Sequence, residues 1–175
     1  EQTDRLGRLA EDLLTLSTLE AGAAAAFEST PVRLDGVVRE AADFLEAVAE
    51  EQGRPFHCEA SEPLTVRGSP TLLKRVMLNV LDNAFRHTAP PAAVRVTARA
   101  DGGRAVVEVH DDGPGVPPDE MARVFERFHR GPGARGGAGL GLALSREIVL
   151  RHGGAIRLNT TPGGGTTATI ELPLA

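Results

Sequence analysis

Hydrophobic positions recur along the chain with two periods, and the change from one to the other lays out its elements. Leu6, Leu9, Leu13 and Leu16 fall at alternating steps of three and four, which predicts a helix over residues 4–20. Its seam covers about two heptads, too short to be stable alone. It is either part of an interhelical seam or an amphipathic helix lying on a core. Glu20-Ala21-Gly22 and the Ala23–Ala26 run read as a junction, with a compact domain starting near Phe27. Val32–Leu34 predicts a short strand, and Asp35 is placed to cap a helix reaching about Gln52. Phe56–Ala60 and Leu64–Val66 read as strands around a Ser-Glu-Pro turn, and Ser69-Pro70 opens a helix that carries Leu72 to Arg86 and stops before Pro90-Pro91. Strict alternation then takes over. Val94, Val96 and Ala98 alternate with Arg95, Thr97 and Arg99, Asp101-Gly102-Gly103 turns the chain, and Val107 and Val109 continue the pattern as a β-hairpin. Pro117-Pro118-Asp119 starts a short helical turn to Phe125, and Leu140–Arg151 is an apolar helix ended by Gly153-Gly154. Ile156/Leu158 and Ala168/Ile170/Leu172 give two closing strands around a Pro-Gly-Gly-Gly turn. Early helices and late paired strands predict an α+β fold: a mixed, mostly antiparallel sheet with helices on one face.

Composition narrows the class. With 41% hydrophobic and 25% charged residues the chain reads as globular, and no apolar run is long enough to span a bilayer. A net charge of −5 and the absence of Tyr and Trp argue against a nucleic-acid binder. The single cysteine, Cys58, rules out an internal disulfide framework. Alternating with Phe56 and Ala60, it reads as a small core residue rather than a reactive thiol.

Three stretches carry candidate chemistry. In the helix from Leu72, residues Arg75, Asn79, Asn83 and Arg86 share one face, opposite a core-facing stripe of Leu73, Val76, Val80 and Ala84. Asparagines are poor helix formers. This face is either simply solvated or an oxygen pair helping to complete an Mg²⁺ shell, with Arg86 facing the same anion. Asp111 ends an apolar strand and enters Asp112-Gly113-Pro114-Gly115. That is either an acidic turn or a carboxylate that accepts from an exocyclic amine while the glycines let a flat base approach the backbone. Gly136 to Gly141 leads into the helix 140–151, whose N-terminal amides and dipole suit phosphate. No Gly-Lys-Ser/Thr follows, so this is not a Walker A loop, and G-x-G-x-x-G is absent. A linker would not be expected to interrupt a domain just ahead of Leu140-Gly141-Leu142-Ala143-Leu144.

Taken in order, Asn79-x₃-Asn83-Ala84, Asp111-x-Gly113-x-Gly115, Phe125-Glu126-Arg127-Phe128, Gly137-x-Gly139-Leu140-Gly141-Leu142 and Gly165-Thr166-Thr167 resemble the ATP-binding domain of sensor histidine kinases. They are similar to that family's asparagine box, first glycine box, phenylalanine box, second glycine box and final glycine–threonine turn. The resemblance covers residues 27 to 174. Leu13-Leu14-x-Leu16-Ser17-x-Leu19-Glu20-Ala21-Gly22 also resembles the end of the second helix of the dimerisation and phosphoacceptor domain. The implied division is a helix remnant at 1–22 and an ATP-binding catalytic domain at 27–175. The implied fold is the Bergerat α/β sandwich of the GHKL proteins, shared with type II topoisomerase ATPases and Hsp90.

The resemblance implies a role for each matched residue. Asn83 is the main Mg²⁺ ligand, supported by Asn79. Arg86 stands where the family usually has lysine, near the phosphates, and His87 where it often has tyrosine, against the adenine. Asp111 accepts from the adenine amine, selecting ATP over GTP, with Gly113 and Gly115 at the base; Asp112 often matches asparagine. Phe125 and Phe128 anchor a lid, from which Arg127 and Arg130 reach the γ-phosphate. Gly137, Gly139, Leu140, Gly141 and Leu142 cradle phosphate, and Thr166 and Thr167 of the final turn also bind the nucleotide. Asn83, Arg86 and Arg127 are the catalytic set.

None of His57, His87, His110, His129 and His152 is followed by the family's phosphoacceptor pattern. The implied activity is therefore transfer of the γ-phosphoryl of Mg-ATP to a histidine on a separate dimerisation domain, for relay to a response regulator. The implied parent is a membrane-anchored bacterial homodimer with this domain on the cytoplasmic side. An ATP-hydrolysing conformational switch and an anti-sigma-factor serine kinase share the boxes. The former places glutamate four residues before the metal asparagine, as a base for water, where this chain has Asn79. The helix remnant argues against the latter.

Overall fold

A computed structural model of the chain describes residues 2–20, 29–131, 138–160 and 164–175. The expected junction at 21–26, the domain start at Phe27 and Gly137 lie outside the described residues. The elements, in order, are α1 (Gln2–Glu20), β1 (Thr30–Arg33), α2 (Leu34–Glu51), β2 (Phe56–Glu59), β3 (Thr65–Gly68), α3 (Pro70–His87), β4 (Val94–Asp101), β5 (Arg104–Asp111), α4 (Pro118–Met121), α5 (Gly141–Arg151), β6 (Ala155–Thr160) and β7 (Thr166–Pro173). Five strands form a mixed sheet in the order β2-β4-β5-β7-β6, parallel only between β2 and β4. β1 and β3 make a small antiparallel pair beside it. The Bergerat-type α+β architecture expected from the sequence is present.

Alternation sorts the sheet into two faces. Val96, Val109, Ala168 and Leu158 are cross-strand neighbours, as are Ala98, Val107, Ile170 and Ile156, and all are buried. The cluster they form with Leu73, Val76, Val80 and Ala84 of α3 and Leu144 and Ile148 of α5 is the core. The outer face pairs charges instead, with Arg99 2.6 Å from Glu108 and Arg157 2.7 Å from Glu171.

Two side chains depart from expectation. Cys58 is exposed, because β2 is an edge strand from which only Phe56 reaches the core even in part. Desolvation and nearby Asp43 push its thiol up, so it is not poised as a thiolate. Asp35 is not the N-cap of α2: Arg33 holds that position, without a side-chain cap. Asp35 sits one residue inside the helix, buried, and accepts the Leu64 amide at 3.0 Å, a two-pronged contact from Arg33 and one from Arg39. It joins the start of α2 to the approach to β3.

The Arg33 hydrogen bonds hold the Asp35 carboxyl well below the usual carboxylate range, against the opposing effect of burial. A depressed folded-state value contributes stability above the unfolded value of about 3.9, and that contribution disappears as pH falls below it. Asp35→Asn should therefore lower stability at pH 7 by roughly 2 kcal/mol, a figure reduced for the solvent-screened guanidiniums. Urea denaturation at pH 7 and pH 3 checks this: the gap between variant and parent must narrow in acid.

The end of α5 is fixed to the start of α3. Buried His152 accepts the Ser69 amide at Nε2 (3.1 Å), while Nδ1 lies 2.7 Å from the Ile148 carbonyl, which fits a neutral ring donating from Nδ1. Burial pushes its pKa down. Helix α1 lies against α5, burying Leu16 and Leu19 while Leu13 and Leu14 remain exposed. The Arg151 guanidinium donates to the Leu19 carbonyl.

Candidate functional site

The asparagine face of α3 is built by an ordinary helix start. Ser69 caps it, accepting the Leu72 amide at 3.4 Å, and Pro70 fits the first turn. Three turns along, the Asn79 amide donates to the Gly141 carbonyl (3.2 Å) and to the Ser145 hydroxyl (3.4 Å). This brings the asparagine box against the first turn of α5. Among the described residues no side chain caps that turn, whose N-cap residue is Leu140, and its first amide donors suit an anion. Leu140 is fully buried and Leu142 half-buried, so their side chains serve the core and only backbone can serve a phosphate. The side chain of half-buried Asn83 makes no hydrogen bond among the described residues, leaving its oxygen available.

The two arginines of this face are engaged elsewhere. Arg86 pairs with Asp82, one turn back, at 2.6 Å. Arg75 reaches away to α1, where it binds Asp12 and the Thr15 hydroxyl. His87 is exposed at the end of α3.

The other half of the site surrounds Asp111, the last residue of β5, which is only 6% exposed. Its Oδ1 accepts from the Thr88 hydroxyl (2.8 Å) and from the Gly113 amide (2.9 Å). Oδ2 has no protein partner among the described residues. Gly113 is glycine for a packing reason: a Cβ there would stand 2.5 Å from Asp111 Oδ1 and 2.9 Å from Thr88 Oγ1. The space that Gly113 and Gly115 leave is thus filled by protein. At Gly115 the neighbour is Thr160, whose hydroxyl accepts the Val116 amide and donates to the Gly165 carbonyl.

Strand β7 separates the two threonines. Thr166 lies beside Asp111 and is buried on the same face. Thr167 points to the outer face, where its hydroxyl is 2.9 Å from His110 Nδ1. It is not brought to the pocket, because successive strand residues face opposite ways. Asp112 goes with it: its carboxylate is 3.1 Å from His110 Nε2, on the outer surface.

At the expected root of the lid, Phe125 packs against the core with the Arg146 guanidinium 5.7 Å from its ring centroid. Phe128 behaves differently from the expected ring anchor: its side chain is 60% exposed and its φ is 61°. It closes the root through backbone, donating from its amide to the Gly139 carbonyl at 2.9 Å. Gly139 has a φ of +72°, and a Cβ there would stand 2.5 Å from the His129 carbonyl. Arg127 and Arg130 are exposed at this root, and Glu120 and His129 meet beneath it at 2.6 Å.

Sequence reasoning missed two residues. Thr88 orients Asp111, and buried Arg54 donates to the Thr88 carbonyl. Nothing near Arg54 in the sequence marks it, since its partner is 34 positions away.

Comparison with known proteins places this arrangement. Residues 68–175 match the family described as histidine kinase-, DNA gyrase B-, and HSP90-like ATPase. The sensor-like histidine kinase SenX3 of Mycobacterium tuberculosis is 35% identical over 98% of this chain and 43% of its own length. Full-length ShkA, solved in complex with AMPPNP, is similar with a TM-score of 0.85 and 35% identity, covering 100% of this chain and 37% of that one. ThkA, solved in complex with the response regulator TrrA, has a TM-score of 0.78 and 25% identity over 99% of this chain and 49% of that one. The chain belongs to this GHKL family, as the catalytic ATP-binding domain of a sensor histidine kinase. It spans under half the length of the curated relatives it matches.

Proposed function

We propose that the domain binds Mg-ATP and passes the γ-phosphoryl group to a histidine on a dimerisation domain, for relay to a response regulator. The observation that carries this is Asn79. A hydrolysing relative needs a carboxylate base there; here an amide stands in its place and is already donating to α5. The donor set suits the ligands. Asp111 Oδ2 is an unpaired acceptor for an exocyclic amine, the open first turn of α5 suits phosphate oxygens, and Asn83 offers an oxygen to Mg²⁺ with Asn79 beside it. Bound magnesium would neutralise phosphate charge during transfer. Arg86, released from Asp82, and Arg127 and Arg130 at the lid root are the cations nearest in role to the transferred group.

In the transfer the acceptor imidazole nitrogen forms a bond to the γ-phosphorus as the bond to the bridging oxygen breaks, and ADP leaves. The chain's own contribution is positioning and electrostatics, so the nucleophile can be supplied from outside. We assign 1–22 to the end of the dimerisation helix and 27–175 to the catalytic domain. No described helix is long and apolar enough to cross a membrane; the parent sensor would be a membrane-anchored homodimer with this domain on the cytoplasmic side.

Incubated with labelled Mg-ATP, the chain should gain no acid-labile phosphohistidine. Adding a separate dimerisation domain with its histidine should give slow labelling of that partner. Asn83→Ala should weaken Mg-ATP binding by roughly 1–3 kcal/mol while leaving the fold intact. Rapid release of phosphate into water would instead place the chain among the hydrolysing members.

A further inference from the structure

Arg54 is 5% exposed, on the short connection between α2 and β2. Its Nη2 donates to the Thr88 carbonyl, and its guanidinium lies 4.8 Å from the Phe85 ring centroid. Nε and Nη1 are buried and make no hydrogen bond among the described residues. A buried guanidinium with two unsatisfied donors is expensive, and burial favours losing its charge. The opposing influence is the negative charge of Asp111.

The contacts form one line. Arg54 holds the Thr88 backbone, the Thr88 hydroxyl holds Asp111 Oδ1, and the Gly113 amide holds the same oxygen. Thr88 follows α3 directly, as its C-cap, in an extended conformation that the helix itself does not dictate. We propose that Arg54 is a positioning residue for base recognition: through Thr88 it fixes the direction of the Asp111 carboxylate. It touches neither base nor phosphate. This rests on the assignment of Asp111 to the exocyclic amine.

Such a role has a specific signature. ATP and purine riboside triphosphate differ at the base by the exocyclic amine, so their affinity ratio reads the aim of Asp111 alone. The parent chain should prefer ATP by roughly tenfold or more. Arg54→Met should cut that preference about fivefold while leaving binding of purine riboside triphosphate nearly unchanged. Arg54→Lys, which keeps charge and one donor, should restore part of it. Thr88→Val breaks the same line without touching Arg54 and should give the same loss, which keeps the test decisive if Arg54→Met does not fold. Titration calorimetry with both nucleotides reads all four proteins. If the parent discriminates and the variants discriminate equally well, or if both nucleotides weaken in parallel, Arg54 is only structural and the inference fails. A parent that binds ATP without discriminating overturns the Asp111 assignment and the inference with it. One that binds neither nucleotide overturns the proposed function itself.

Discussion

Asp111→Asn should reduce ATP affinity by about ten- to a hundredfold, the scale of losing a hydrogen bond to a charged group. The direction follows from how the carboxylate is held. Two donors, the Thr88 hydroxyl and the Gly113 amide, converge on Oδ1. In the variant they would keep the amide carbonyl at that position, which places the NH₂ where Oδ2 was. A donor then faces the donor amine of adenine, and the amide cannot flip without setting its NH₂ against the Gly113 N–H. GTP should not be rescued, because one changed contact does not reshape a pocket. Calorimetric titration with ATP and GTP measures both. If ATP binds the variant as it binds the parent, Asp111 is a turn residue and nothing more.

Gly165→Ala should be the most damaging single-methyl change in the site, destabilising the chain by roughly 3–5 kcal/mol. Gly165 has a φ of +79°, and a Cβ there would overlap the Asp111 carbonyl oxygen and come within 3.0 Å of the Asp112 Cα. These are backbone atoms, with no flexible side chain to swing aside. Gly102 and Gly103 are the control: both also have positive φ, but a Cβ on either meets nothing within 4 Å. Alanine at Gly102 should therefore lose only about 1 kcal/mol. Equal urea midpoints for Gly165→Ala and Gly102→Ala would mean that strain alone, not overlap, sets the need for glycine.

Much of this was legible in the chain because periodicity reports burial directly. Val94 and Val96 of β4 and Val107 and Val109 of β5 alternate, and the structure sets them on one face as that alternation requires. The stripe of α3 from Leu73 to Ala84 faces the core for the same reason. The position of Thr167 was legible too, though only by extending the argument: if Ala168, Ile170 and Leu172 point inward, Thr166 does and Thr167 does not. The Arg86–Asp82 pair has the i, i+4 spacing that any helix brings together. Asp35 departs from the expected cap because a cap and a buried first-turn acceptor share the same residue type and here differ by two positions. Arg54, Thr88 and Asp111 form a line only after folding, and no local pattern encodes a contact between the end of one helix, the end of another and the end of a strand. Cys58 was misjudged because alternation says which residues share a face, not whether anything covers it.

The hydrogen bond from the Phe128 amide to the Gly139 carbonyl ties a neck around residues 129–138. The described ends of that stretch, at Phe128 and Gly139, are held together by this bond. Closing a flexible loop grows more costly by about 0.6 kcal/mol for each doubling of its length, so added residues there carry a small thermodynamic burden. The segment is thus a grafting port. A peptide epitope or a dye-labelled cysteine inserted beyond the neck would report from beside the proposed nucleotide site while β5, β7 and α3 keep their register.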